Sequence, residues 1–212
     1  MRRLFCLSVV ATVALALAVT GCETMETRGA APAGPAVAPV VKLERVDVNH
    51  IQPFFVNPRI GFKDCNEPGK TMGGGYTSTL SLAYILSIHN PNSFPVMLDE
   101  LRFTAAFEDF DVNMANVYEK QWIPAGKTNE LRVVVVQEAA IMIGALSVGG
   151  MAAAKIKQMG TTQAAVVQKW FDTVGDFAFP IKVKEGVAVF KTPDGKSLMS
   201  NFQGVFPPPE KK

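Results

Sequence analysis

Ile85-Leu-Ser-Ile-His-Asn90-Pro91-Asn92-Ser-Phe-Pro95-Val-Met-Leu98, continued after a gap by Trp122-Ile-Pro124-Ala-Gly126-Lys-Thr-Asn-Glu-Leu-Arg-Val-Val-Val-Val136, is the stretch whose reading decides the fold. Upstream of its first turn, Leu80, Leu82, Tyr84, Leu86 and Ile88 alternate with Thr79, Ser81, Ala83, Ile85 and Ser87. That period of two marks a strand. Asn90-Pro91-Asn92 and Pro95 stop it, because Asn side chains bond nearby backbone groups and Pro fixes φ and removes a donor. Val96–Leu98 and Leu101–Phe107 read as the next strands. Asp109, Asp111 and Asn113 read as a connection, and Val112–Val117 as resumed pairing. The Pro124-Ala125-Gly126 turn leads into a strand over Asn129–Gln137, whose run of valines is apolar on both faces and so predicts cover on both.

Outward from this frame, Leu43, Val46 and Val48 indicate a first strand near 43–50. Residues 57–77 read as a long loop, and Gly73-Gly74-Gly75 lacks the Gly-Lys-Ser/Thr of a phosphate loop. Glu138–Lys157 is rich in Ala, Met and Gly, with no charge from Ala139 to Ala154. That run predicts helix but is short for a membrane span. In Thr161–Val174, Val166, Val167, Trp170, Phe171 and Val174 share one helical face, with a Thr cap before them and Gly175 to close the end. Two readings follow for the 138–175 insert. Its helices pack on the sheet, or this face is an interaction surface for a membrane or a partner protein. Phe177–Phe190, with an interruption at Glu185-Gly186, and Ser197–Phe206 complete the strands around a Thr192–Lys196 hairpin turn. Many short strands with Pro, Gly and Asn turns predict a mostly β chain: an antiparallel immunoglobulin/fibronectin-III-like sandwich with an inserted helical segment.

The amino end reads Met1-Arg2-Arg3, an apolar run, then Val19-Thr20-Gly21-Cys22. A basic start and a short apolar run form a secretory signal. Its ending resembles the bacterial lipobox, which implies cleavage before Cys22 and lipidation of its thiol. Several acyl chains, at ~0.8 kcal/mol per buried methylene, would hold such a protein at a membrane. By the same resemblance, Glu23 implies sorting to the outer membrane, facing the periplasm. The organisation expected is signal 1–21, Ala/Pro-rich tether 22–41, sandwich 42–207 and tail 208–212. Without Arg2 and Arg3 the 212-residue chain carries 19 basic and 19 acidic residues, against the basic surface nucleic-acid binding needs. Cys65 is left without an intrachain partner; it reads as an inert thiol, an intermolecular bridge or a reactive group.

Taken in order, Asn90-Pro91-Asn92, Pro95, Ile123-Pro124-Ala125-Gly126 and Gly204-Val205-Phe206-Pro207 resemble the WHy domain of the LEA14-like, type 2 late embryogenesis abundant family. The resemblance covers roughly 43–207. It implies a folded, non-enzymatic domain associated with desiccation, osmotic and other stress, and often a lipoprotein in bacteria. The insert is longer than the family's usual linker. The residues themselves carry no reaction chemistry. No Cys-x-x-Cys or His-x-x-x-His supplies a zinc site, no Gly-x-Ser-x-Gly a nucleophile, and Glu108, Asp109 and Asp111 lack the calcium-loop frame. Trp122 and Trp170 read as core. The expectation is no catalytic residue, no metal and no cofactor. The expected partners are a membrane through the lipid on Cys22 and an envelope protein, with no nucleic acid and no oligomeric state inferred.

Overall fold

The computed structural model describes residues 35–57, 62–63, 71–72 and 75–209. Cys22, Cys65, the Gly73-Gly74 pair and most of the tether lie outside the described residues. Eight strands of three residues or more form two antiparallel sheets. They are β1 (Val40–Ile51), β2 (Thr79–His89), β3 (Val96–Phe107), β4 (Phe110–Val117), β5 (Gln121–Ile123), β6 (Thr128–Glu138), β7 (Ile181–Lys191) and β8 (Ser197–Phe206). One sheet has the order β1-β2-β6; the other runs β8-β7-β3-β4, with β5 pairing the start of β3. Between β1 and β2, two short ladders pair Val56–Asn57 with Gly75–Tyr76 and Phe62–Lys63 with Thr71–Met72, where a loop was expected.

The alternation read in 79–89 places Leu80, Leu82, Tyr84, Leu86 and Ile88 in the core between the sheets. They face Leu98, Leu101, Phe103, Ala105 and Phe107 from β3 and Ile181, Val183, Ala188 and Phe190 from β7. Tyr84 and Phe103 touch across the sheets, ring centroids 5.1 Å apart. At one corner the sheets approach so closely that a Cβ on Gly204 of β8 would fall 2.5 Å from Leu43 Cβ of β1. Only glycine fits there.

Several expectations change. The first strand starts at Val40, inside the segment read as tether. Residues 96–107 make one strand, whose register with β7 slips between Leu98 and Glu100 instead of breaking. The connection after it is only Glu108-Asp109, so Asp111 and Asn113 lie within β4. The valine run of β6 is covered on one face only. Val133 and Val135 are buried, but Val134 and Val136 are 52% and 58% exposed, because among the described residues no layer packs on the outside of this sheet. Two arginines partly fill that role. β1 and β6 flank β2, so the pair from Arg45 to Glu130 (3.4 Å) and the hydrogen bond from Arg132 to Asn49 cross over it. Both arginines are register partners of Ile85, which with Ala83 is buried on the nominally outer face. Trp122, on the short edge strand β5, is 55% exposed, whereas Trp170 is fully buried. The interruption at Glu185-Gly186 is a bulge, with Glu185 at φ 51° and the register shifted between Val183 and Gly186.

The insert forms α1 (Ala139–Val148), α2 (Gly150–Gln158) and α3 (Gln163–Thr173). Thr162 caps α3 by accepting from Ala165 N at 3.2 Å. The chain reverses after α3 at Phe177, φ 49°, and not at Gly175.

Candidate functional site

Strand register separates the two ends of the sandwich. Val40, His89 and Thr128 are level at one end; Ile51, Thr79 and Glu138 are level at the other. The second sheet follows, with Val96 and Ile123 at the first end and Phe107, Phe110 and Ile181 at the second. The Asn/Pro turn sits at the first end. The helical insert closes the second.

At the first end, Asn90 is fully buried. Its amide nitrogen donates to the carbonyls of Phe94, Ile123 and Pro124 at 2.9, 3.1 and 3.2 Å. Its oxygen accepts from the backbone N–H and the side-chain amide of Asn92 at 3.1 and 2.8 Å. Gly126, at φ +63°, donates its N–H to Asn92 O, and Asn90 N donates to Lys127 O. The side chain of Asn92 also pairs with Val37 in both directions, each bond 2.8 Å. It behaves there like a strand edge, and it fixes the end of the tether to the domain. Asn90, Asn92, Pro124 and Gly126 are thus one clasp, and the amides are occupied by backbone groups. Val37, which joins the clasp through its backbone, carried no signal in the sequence.

At the second end, the face proposed as an interaction surface is interior. Val166, Val167, Trp170, Phe171 and Val174 are all buried. Trp170 packs edge-on to Phe107 (5.4 Å, 90°) and against Phe110 and Phe179. The reason is that the β3–β4 sheet ends here in Phe107 and Phe110, which Trp170 of the insert covers together with Phe179. Around this plug runs a ring of ion pairs. Asp109 joins Lys155 of α2 and Lys182 of β7, both at 2.8 Å. Glu108 meets Lys169 of α3 at 2.7 Å and Asp111 meets Lys184 at 2.6 Å. Lys155 also lies 5.1 Å from the centre of the Phe110 ring. Hydrogen bonds from Lys155 and Lys182, with their charges, lower the Asp109 carboxyl from 3.8 to about 2. The acidic cluster therefore fastens helix to hairpin.

Among the described residues of the insert, the elbow between α1 and α2 is the part left exposed. The two helices meet at 94° around Gly149. Ala139, Met142, Leu146 and Ile156 point inward and are buried. Val148 and Met151, on the two sides of the bend, are 88% and 90% exposed, and Ile141 is exposed as well. Beneath the elbow a cavity of about 680 Å³ opens between Phe110, Asp109, Leu146, Gly149, Met151 and Lys155. The Gly149-Gly150 pair inside an apolar run was the available sign of this bend. No single helix among the described residues is long and apolar enough to cross a membrane.

Among the described residues, no group of three His, Cys, Asp or Glu is placed to hold a metal ion. His89 is level with Thr128 and bonds its hydroxyl at 3.0 Å. Burial raises the Tyr84 hydroxyl well above the usual phenol range, with Gln137 beside it acting against the shift, so the group stays neutral in the core.

No protein-family model and no curated protein matches the chain. Among solved structures, a solution structure of a protein from Arabidopsis thaliana is similar at 12% identity and TM-score 0.43, covering 84% of this chain and 87% of its own. A structural-genomics X-ray structure gives 8% identity and TM-score 0.42 over 80% and 88% of the two chains. A crystal structure of a protein from Archaeoglobus fulgidus gives 8% and 0.35 over 76% and 95%.

Proposed function

We propose that this chain is a non-enzymatic, lipid-anchored protein of the bacterial envelope built on a late embryogenesis abundant type 2 (WHy) domain with an immunoglobulin/fibronectin-III-like arrangement of its sheets. It acts in protection against desiccation, osmotic or other stress from the periplasmic face of the outer membrane. The observation that carries the non-enzymatic part is the clasp. The polar residues that define the motif, Asn90 and Asn92, have their amides bonded to backbone groups and to each other. They set geometry and are not presented to a substrate. The anchor rests on Val19-Thr20-Gly21-Cys22 behind the apolar run.

Two measurements test the reading. Cys22→Ser releases the protein from the membrane fraction or mislocalises it; unchanged fractionation contradicts the anchor. A deletion strain loses viability on drying or osmotic shock; survival equal to wild type contradicts the protective role. A second reading, an envelope scaffold that contacts membrane or a partner through the insert, is favoured by the exposed Val148 and Met151. It needs the elbow and not the buried face of α3.

A further inference from the structure

We propose that the elbow between α1 and α2 is a membrane-docking wedge, with Val148 and Met151 entering the interfacial layer of a phospholipid bilayer and Lys157 facing its anionic headgroups. The apolar character is continuous. Sixteen residues from Ala139 to Ala154 carry no charge, and the most exposed of them lie where the helices bend. Val148 and Met151 are the two most exposed large apolar side chains among the described residues, while Met142, Leu146 and Ile156 of the same helices face the core.

The chemistry of the surroundings favours lipid over a protein. No Asp or Glu occurs between Glu138 and Asp172; Lys155 and Lys169 are paired with Asp109 and Glu108, so Lys157 is the lysine of the insert outside that ring. Lys157 is exposed about two turns beyond the bend, within the reach of a long cationic side chain to headgroups. The exposed apolar tip is small. Ile141, Val148 and Met151 are its large apolar side chains, set among Gly144, Ala145, Gly149 and Gly150. A specific protein interface requires about 800 Å² per partner, but a fluid bilayer conforms to a wedge. Backbone groups at the bend are already engaged, Gly149 N with Ala145 O at 3.1 Å and Ala153 N with Gly149 O at 2.9 Å. Insertion to ~5–10 Å, where headgroups and water remain, leaves the other helix-end groups partners.

Reach is consistent with docking on the anchoring bilayer. The strands between the two ends are 11 residues long, about 35 Å. Cys22 precedes Pro35 by 13 residues, a chain that spans at most ~45 Å when extended. A lipid on Cys22 and the elbow can therefore enter one membrane, with the sandwich held between them. That the bilayer is the anchoring one rests on the lipid-anchor reading; the contact itself does not.

The test uses the full chain with vesicles of phosphatidylglycerol and phosphatidylethanolamine, some carrying bromine on the acyl chains. Val148→Trp and Met151→Trp each add an emitter at the tip, beside native Trp170 in the core and Trp122 at the opposite end. The expected result is a blue shift and at least twofold quenching of the added emission by shallow bromines, absent in wild type and weaker on phosphatidylcholine alone. Emission at a water-like wavelength with no quenching overturns the proposal. A blue shift without vesicles, together with a doubled mass, overturns it in favour of a second copy as occupant. Repeating the measurement in Cys22→Ser separates the two claims. Quenching that persists there supports the wedge whatever the fate of the anchor. Anchored protein whose tip stays aqueous refutes the wedge and leaves the anchor standing.

Discussion

Asn90 and Asn92 are polar residues buried at the tether end of the sandwich; Val148 and Met151 are apolar residues left in water at the insert end. Both depart from the usual placement of their residue types, and the departures have different physical sources. The asparagines are buried because three loops converge there with unpaired carbonyls and N–H groups, and an amide satisfies both kinds at once. Nothing comparable holds the elbow residues. Their neighbours Met142, Leu146 and Ile156 already face the core. A buried polar group with every bond made belongs to the architecture. Exposed apolar side chains are common singly; Val148 and Met151 differ in sitting together at a bend inside an uncharged run.

The comparison sharpens first at the plug under the elbow. Trp170→Ala removes the side chain on which Phe107, Phe110 and Phe179 converge. It is expected to lower stability by ~3–5 kcal/mol in urea unfolding. A loss below ~1 kcal/mol would mean that the insert is not part of the cooperative core. At the other end, Asn90→Ala leaves three carbonyls without their donor, and a loss of ~2–3 kcal/mol is expected. Equal stability of the variant would break the clasp account. The smallest effect belongs to the ion pairs. The Asp109 carboxyl titrates lower in the folded protein, about 2 against 3.8, so its contribution is present above pH 4 and is lost as pH falls toward 2. Because its side chain is 62% exposed, screening reduces that contribution to ~0.2–1 kcal/mol. Asp109→Asn should therefore cost no more than this at pH 7 and flatten the acid limb between pH 4 and 2. Unfolding midpoints measured across that range check both.

The strands were legible where alternation met a turn signal. Leu80 to Ile88 and Leu101 to Phe107 gave their inner faces directly, and the Asn/Pro turn marked the end of β2. Cover on the outer faces was not legible. The valine run suggested two covered faces, yet Val134 and Val136 are exposed while Ala83 and Ile85, on the same sheet face, are buried. Which side a valine faces follows from its strand, but whether a second layer or an arginine stem lies over it depends on neighbours distant in sequence. The insert shows the same limit. The helical spacing of Val166, Val167, Trp170, Phe171 and Val174 identified an apolar face correctly, but spacing does not say whether that face meets solvent or the protein's own sheet. The exposed residues were instead at a bend marked by Gly149-Gly150, in a run with no one-sided pattern. Val37 in the clasp could not have been found, because it takes part only through its backbone.

The division between a fastened end and an uncovered elbow is tested most directly by unfolding the double variant Val148→Asp, Met151→Asp in urea at pH 7. With both positions about nine-tenths exposed, the midpoint should match wild type within ~0.5 kcal/mol, as for surface substitutions outside the packed core. A loss beyond ~2 kcal/mol, comparable to that of Asn90→Ala, would show that the elbow is held by the fold and contradict the account.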